Sequence, residues 1–288
     1  MFAWRPEEMA MAQVRGSQPA YGPRPLDLDK PNSARIYDCM LGGGHNTAVD
    51  RDLVERIRAM APRWVAGAPR NREFLGTAVR QLLDRGVRQF LDLGSGIPTV
   101  GNVHEIAQQA DPTVRVVYVD YEAVAYHASR SMLADNPNAT ILHADLRDPV
   151  AVLSHPETRE LIDFDQPVGL LMIGVLLFIP DSDRPADIIR RYREHLVPGS
   201  CLAISQVTAE GLEPDHAAEL NRVVDAYQSA DEQITLRGRA ELLSWFEGTD
   251  LVQPGVARLL DWRDQDNPLA EHDLAGARQA YAGIGRIR

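Results

Sequence analysis

The chain is poor in several things that would have directed its reading. Cysteine occurs only twice, at Cys39 and Cys201, without metal-ligand spacing. Two thiols make no disulfide framework, and a reducing cytoplasm suits them. Lysine occurs once, at Lys30, so arginine supplies nearly all of the 30 basic residues. That bias reads as the base composition of a GC-rich genome and not as chemistry. Positive charge is in deficit, with 41 acidic residues and a net charge of −11. A long basic face for nucleic-acid phosphates is therefore not expected. Long apolar runs are missing as well. "VGLLMIGVLLFI", at 168–179, falls short of the roughly 20 residues that span a bilayer and reads as a buried parallel strand running on into a loop. The amino terminus lacks the basic-then-apolar order of a signal peptide. There is no internal repeat and no low-complexity tract. The expectation is a cytoplasmic protein with a small-molecule substrate, no metal, no nucleic-acid or membrane partner, and a monomeric or weakly dimeric state.

What is present suits a globular domain. The chain has 288 residues, 44% of them apolar and 25% charged, which allows one large α/β domain or two small ones. Residues 1–30 carry Pro6, Pro19, Pro23 and Pro25 without periodicity and read as a flexible tail. Residues 31–288 read as a single domain. Within it, 31–86 form a helical cap, with short-helix spacing at Ile36, Cys39 and Met40. Amphipathic stripes follow at Leu53, Val54, Ile57 and Met60, and at Phe74, Leu75, Ala78, Val79, Leu82 and Leu83. Gly86 sits where a C-terminal cap would.

The rhythm then changes. Strands are predicted at 88–94, 114–120, 139–146, 167–174 and 200–207, with helices at 102–110, 122–135 and 185–196. Strands alternating with helices imply βαβ units and a mostly parallel sheet. That core spans 87–207. Residues 208–250 read as a helical region beside the substrate, and 251–288 as closing strands at 251–262 and 279–288.

"FLDLGSGIPTVGN", 90–102, joins a strand to a helix through glycine. Such a turn lets backbone approach a ligand and presents free N–H groups at the helix start. The dinucleotide pattern needs a third glycine at 99, where this chain has Thr99. Asn102 and Glu105 have capping-box spacing. Asp120 ends the next strand and either accepts ribose hydroxyls or caps a helix. Asp145 follows the third strand and either accepts from an adenine amino group or serves a turn. Three such features at successive strand ends fit one adenosine along the sheet edge.

These residues resemble the class I methyltransferases that use S-adenosylmethionine. "SARIYDCMLGGGHN", "NREFL", "FLDLGSGIPT", "VVYVDYEAV", "ADLRDP", "PGVARLLDW" and "YAGIGR" together resemble the S-adenosyl methyltransferase family. This is a bacterial family, abundant in actinobacteria and once listed as a domain of unknown function. The resemblance covers about residues 31–288. It implies a Rossmann-like α/β fold with seven mostly parallel strands, helices on both faces, and the last strand antiparallel and inserted. It also implies S-adenosylmethionine as cofactor, S-adenosylhomocysteine as product, and an unidentified acceptor.

Carried over residue by residue, the resemblance places Asp92, Gly94, Ser95 and Gly96 around the methionine and ribose portion. It gives Asp120 the ribose hydroxyls, sets Tyr121 beside the adenine, and has Asp145 and the Leu146 backbone read the adenine edge. Gly174 and Val175 line the sulfonium side. Two points depart from common patterns: Pro98 stands where many methyltransferases carry a third glycine, and Tyr121-Glu122 stands where the family often has Asn-Asp.

"RIYDCMLGGGHN", with Gly42, Gly43 and Gly44, is read as a lid over the cofactor or as a helix C-cap packed on the domain. In the first reading Asn46, Arg35 or Arg72 holds the methionine carboxylate; Arg72 is otherwise an exposed helix charge. Tyr37 and Asp38 are candidates for the acceptor pocket. Among histidines His45, His104, His127 and His143 are of the right type for a general base, though structural roles also suit them. "GVLLFIP" lacks the Asn/Asp-Pro-Pro-Tyr/Phe segment of many enzymes that methylate planar amino groups. Its Leu176, Leu177 and Phe178 are either an apolar substrate face or core. One rival is a non-catalytic regulator that binds S-adenosylmethionine or S-adenosylhomocysteine. The other is a nicotinamide-dependent oxidoreductase, disfavoured by Thr99 and Asp145.

Overall fold

The structure is a computed structural model that describes residues 22–24, 26–99, 101–228, 232–262 and 271–288. Among the described residues three helices come first: α1 (Ser33–Met40), α2 (Ala48–Met60) and α3 (Pro62–Asp84). The Asn32 side chain starts α1 by accepting from the N–H groups of Ala34 and Arg35 at 3.0 and 3.2 Å, as an N-cap does. Thr47 and Asp50 start α2 through a capping box. α3 begins twelve residues before the first residue of the predicted stripe, Phe74, and carries Pro69 inside it. Its length lets it join two cores. Trp64, Val65 and Ala68 pack with Ile36, Leu53 and Ile57 of the other two helices, while Phe74, Ala78 and Leu82 pack on the sheet.

The α/β part follows as β1 (Gln89–Leu93), α4 (Val103–Ala110), β2 (Arg115–Asp120), α5 (Ala123–Met132) and β3 (Ala139–His143). Two short helices, α6 (Pro149–Ser154) and α7 (Pro156–Leu161), lead to β4 (Gly169–Ile173), α8 (Pro185–Arg193) and β5 (Cys201–Val207). The rest comprises α9 (Pro214–Gln228), α10 (Arg239–Ser244), β6 (Thr249–Leu251), β7 (Ala257–Arg258), α11 (Glu271–Arg278) and β8 (Ala280–Ile287). Proline at the first turn of α6, α7, α8 and α9 costs no helical hydrogen bond.

The strand order is β3-β2-β1-β4-β5-β8-β6, with β7 also on β8. β1 to β5 are parallel, and β8 runs antiparallel between β5 and β6. This is the Rossmann-like class I methyltransferase fold with the inserted antiparallel strand expected from the resemblance. The sheet has eight strands and not seven. The single strand expected at 251–262 is broken: Pro254 has no N–H to pair, and Gly255, at φ +86°, turns the chain. The two pieces pair with opposite ends of β8, Thr249 beside Ile287 and Ala257 beside Ala282. Two apolar layers sandwich the sheet, one built on Leu91, Val117 and Leu170 and the other on Phe90, Val116 and Leu171. This one-in, one-out alternation on strands buried on both faces is what helix-covered parallel sheets show.

Among the described residues no helix is long and apolar enough to cross a membrane. Residues 1–21 of the expected tail lie outside the described residues. Arg24 is tied down: its N–H donates to the Tyr121 carbonyl at 2.6 Å, and its guanidinium sits 4.7 Å over the Tyr121 ring.

Candidate active site

The carboxyl ends of β1, β2 and β3 are held level, since Asp92 pairs with Tyr118 and Asp120 with His143. Open α/β sheets bind ligands outside these ends, and here they border a cavity of about 370 Å³. That lies within the roughly 300–1,000 Å³ usual for small-molecule sites. Twelve residues singled out from sequence line it: Tyr37, Arg72, Asp92, Gly94, Ser95, Gly96, Asp120, Tyr121, Asp145, Leu146, Gly174 and Val175.

The glycine turn shows why its residues are what they are. Gly94 sits at φ +70°, and a Cβ there would lie 2.1 Å from Val175 Cγ2. Both facts require glycine. The N–H groups of Gly94 and Ser95 donate to the Val119 carbonyl at 2.7 and 3.2 Å, folding the turn back over β2. Gly96 N–H donates to Asp120 Oδ2 at 2.7 Å, and Glu122 N–H to Oδ1 at 2.9 Å. Asp120 thus fastens the turn while each oxygen keeps lone-pair capacity. Among the described residues Ser95 Oγ is buried without a partner. Asn102 and Glu105 form the expected capping box at the start of α4.

Carboxylates crowd this end. Burial pushes the Asp92 carboxyl up to about 7, with Asp120 adding to the rise and Arg72 opposing it. Burial also pushes Asp120 up to about 7, with Glu122 and Asp145 adding and the Gly96 and Glu122 N–H groups opposing. Asp145 is gripped by Arg147, with Nη2 2.6 Å from Oδ2 and Nε 3.0 Å from Oδ1. Arg147 also reaches Asp183 at 2.9 Å.

A pH-dependent result follows for Asp92. A carboxyl with a raised folded pKa keeps its proton in the native state where the unfolded chain has lost it. Its favourable contribution is full below about pH 4 and is lost as pH rises toward 7. Asp92→Asn cannot lose that proton. The variant's melting temperature is therefore expected to gain on the wild type between pH 4 and pH 8, ending several degrees above it. Thermal unfolding at four pH values checks this, and a difference flat in pH would contradict it.

Five other sequence candidates lie off the cavity lining. Arg35 is fully buried, its Nε 2.7 Å from Asp50 Oδ2, with further bonds to the Asp27 and Lys30 carbonyls. It joins α1 to α2 and is not extended toward the sheet edge. Asp38, 1% exposed, gathers the glycine loop. It accepts from His45 N–H, Asn46 Nδ2 and Thr99 Oγ1, each at 2.9 Å. Asn46 is held there and on the Gly43 carbonyl, and a Cβ on Gly43 would overlap Asp38. The exposed His45 touches this hub through its backbone. The loop therefore closes on Asp38, and α1 itself contributes Ser33, Ala34, Tyr37 and Met40 to the cavity. Arg72 does line the cavity, with Nη2 2.9 Å from Asn102 Oδ1.

No histidine is among the described lining residues. His104 Nδ1 lies 2.8 Å from the Tyr118 hydroxyl, and burial lowers its pKa. His143 stacks on Tyr126 and contacts the Tyr121 carbonyl. His127 sits edge-on to Tyr126.

The cavity also exposes residues that sequence reading passed over. Asn71 lies in "NREFL" beside the chosen Arg72. Ser205 and Gln206 end β5, where the strand-end rule points. Arg147 stands two places after Asp145. Arg24, Tyr227 and Glu232 carry no local signal.

The family model described as S-adenosyl methyltransferase matches residues 19–288. The chain belongs to the S-adenosyl methyltransferase family. A crystal structure of a DUF574 family protein from Streptomyces avermitilis is 35% identical, with a TM-score of 0.85, covering 91% of this chain and 99% of that one. A crystal structure from Thermobifida fusca, described provisionally as a methyltransferase, is 36% identical with a TM-score of 0.82, covering 91% and 97%. No curated protein matches the chain. Family membership bears on the nicotinamide rival, since it groups this glycine turn with methyltransferases and not with dehydrogenases.

Proposed function

We propose that the protein is an S-adenosylmethionine-dependent methyltransferase with a small-molecule acceptor. One observation carries the reading: the cavity joins a glycine turn and strand-end carboxylates to a second, aromatic-walled region. The buried Ser95 Oγ, without a partner among the described residues, and the two lone-pair-bearing oxygens of Asp120 suit a ligand rich in hydroxyl and amino groups. When bound, S-adenosylmethionine supplies a methyl carbon made electrophilic by a sulfonium.

The residues then divide the work. Asp120 accepts ribose hydroxyls. The Gly94–Gly96 backbone and Ser95 lie against the methionine and ribose portion, with Arg72 toward the carboxylate. Tyr121, Asp145 and Leu146 border the adenine, under Arg24. Gly174 and Val175 face the reacting end. With the group held there, Gly174 and Val175 would set the acceptor against that methyl carbon, the sulfur would leave as a thioether with the carbon–sulfur electron pair, and the acceptor's proton would pass to solvent. The protein contributes position and exclusion of water.

Calorimetric titration with S-adenosylmethionine, S-adenosylhomocysteine and NADH tests the cofactor. Both S-adenosyl ligands are expected to bind in the micromolar range and NADH not at all. No binding of either S-adenosyl ligand up to about a millimolar, near −4 kcal/mol, would end the reading.

A further inference from the structure

The cavity has two compartments of different chemistry. Each lining cation is engaged at the carboxylate end. Arg24 lies 2.9 Å from Glu232 and 3.3 Å from Glu122. Arg147 holds Asp145, and Arg72 faces Asp92. The other compartment lies between α1, α3, α9 and the ends of β4 and β5. Its walls are Met40, Trp64, Leu177, Phe178 and Tyr227. Three of these are rings in mutual contact, with Tyr227 6.0 Å from Trp64 and 6.2 Å from Phe178. Among the described residues, Tyr37, Asn71 and Ser205 are the neutral polar groups on this side, while the charged Arg72 and Glu232 lie near enough to act on Tyr37 and Tyr227. Burial keeps the Tyr37 phenol protonated by pushing its pKa up.

Those polar groups are arranged to accept. Ser205 Oγ donates its hydrogen to Asn71 Oδ1 at 2.6 Å. Asn71 Nδ2 donates to the Tyr37 hydroxyl at 3.3 Å, which donates to the Ala68 carbonyl at 3.1 Å. The chain runs one way, so Ser205 Oγ is left with lone pairs and no hydrogen to give. Asn71 stands against the β4 turn: a Cβ on Gly174 would lie 2.7 Å from its Nδ2. Gln206 is 1% exposed. Its Nε2 is fixed on the carbonyls of Val207 and Thr235, and its Oε1 is buried without a partner among the described residues. Side chains alternate along β5, so Gln206 lies on the opposite face of the sheet from Ser205 and Asn71 and leaves Ser205 as the acceptor on this side.

We infer that the methyl acceptor is an uncharged, aromatic-ring molecule whose hydroxyl or amine group donates a hydrogen bond to Ser205 Oγ. The inference rests on the proposed methyl transfer for its orientation. That hydrogen bond turns the acceptor's remaining lone pair toward the methyl carbon. A carboxylate or phosphate on the ring would meet the Ser205 lone pairs, apolar walls and the field of Glu232, with Arg72 already engaged by Asp92 and Asn102, so anionic analogues are rejected.

Ligand-observed NMR titration tests this on the full chain, first with S-adenosylhomocysteine alone and then with three ring probes, with and without it. The probes are 2-naphthol, 2-naphthoate and 2-methoxynaphthalene. 2-Naphthol is expected to bind at least tenfold more tightly than either of the others. Ser205→Ala is expected to narrow the gap between 2-naphthol and 2-methoxynaphthalene, with melting temperature as the check on folding. Equal or tighter binding of 2-naphthoate overturns the inference. So does equal binding of the methoxy compound, or no ring binding by protein that binds S-adenosylhomocysteine. Loss of S-adenosylhomocysteine binding alone strikes the cofactor reading, and the ring comparison still decides the compartment's chemistry.

Discussion

Asp120→Ala is expected to weaken S-adenosylmethionine binding by about a hundredfold or more. The carboxylate serves twice. It receives the N–H groups of Gly96 and Glu122, which sets the turn, and its remaining lone pairs face the cavity. A hydrogen bond to a charged group contributes about 1.5–3 kcal/mol, so two ribose bonds account for the predicted loss. Asp120→Asn retains one acceptor oxygen and is expected to lose about tenfold. Melting temperature separates this from unfolding, because the buried carboxyl is itself costly near neutral pH. A Kd within threefold of wild type for Asp120→Ala would remove Asp120 from the cofactor site.

The second large effect concerns Arg35, and it is expected to be one of stability. Breaking a buried ion pair from one side costs about 3–5 kcal/mol. Asp50 keeps its bonds from Thr47 and from Asn32 N–H, which places Arg35→Ala toward the low end. A fall in melting temperature on the order of 10 °C is expected. The folded variant is expected to bind S-adenosylmethionine within about twofold of wild type. If Arg35 instead held the methionine carboxylate, affinity would collapse while the melting temperature barely moved.

Arg35 also shows what the sequence could carry. An arginine beside a glycine-rich loop suits an anion site, and nothing local says that Asp50, one helix later, will neutralise it. Asn46 and Asp38 were misplaced for the same reason, since side-chain pairing is decided by how α1, the loop and α2 fold onto one another. Asp92, Asp120 and Asp145 were legible because their positions depend on backbone alone. Each follows an apolar strand, and parallel strands bring their carboxyl ends to one edge. The strand order was legible only through the resemblance, and the break at Pro254-Gly255 was visible as residues but not as two separate pairings. Ser205, Gln206 and Asn71 gave no pattern because neutral polar side chains at strand and helix ends are common. Arg24 sits in an aperiodic, proline-rich stretch, and its partners lie about 100 and 208 positions away.

The placement of β8 has a consequence for the order in which the molecule assembles. The parallel half, β3-β2-β1-β4-β5, closes by contacts between neighbouring βαβ units. β8 is nearly 80 residues further along, yet it docks along the whole length of β5, from Cys201 beside Arg286 to Val207 beside Ala280. Until it arrives, β5 is a bare edge open to other chains, and long-range closure of this kind is slow. The part of the cavity at the ends of β1, β2 and β3 is thus formed while the part containing Gln279 and Ala280 still lacks a wall. A refolding chain would recover its affinity for S-adenosylhomocysteine before it recovers any preference among acceptors.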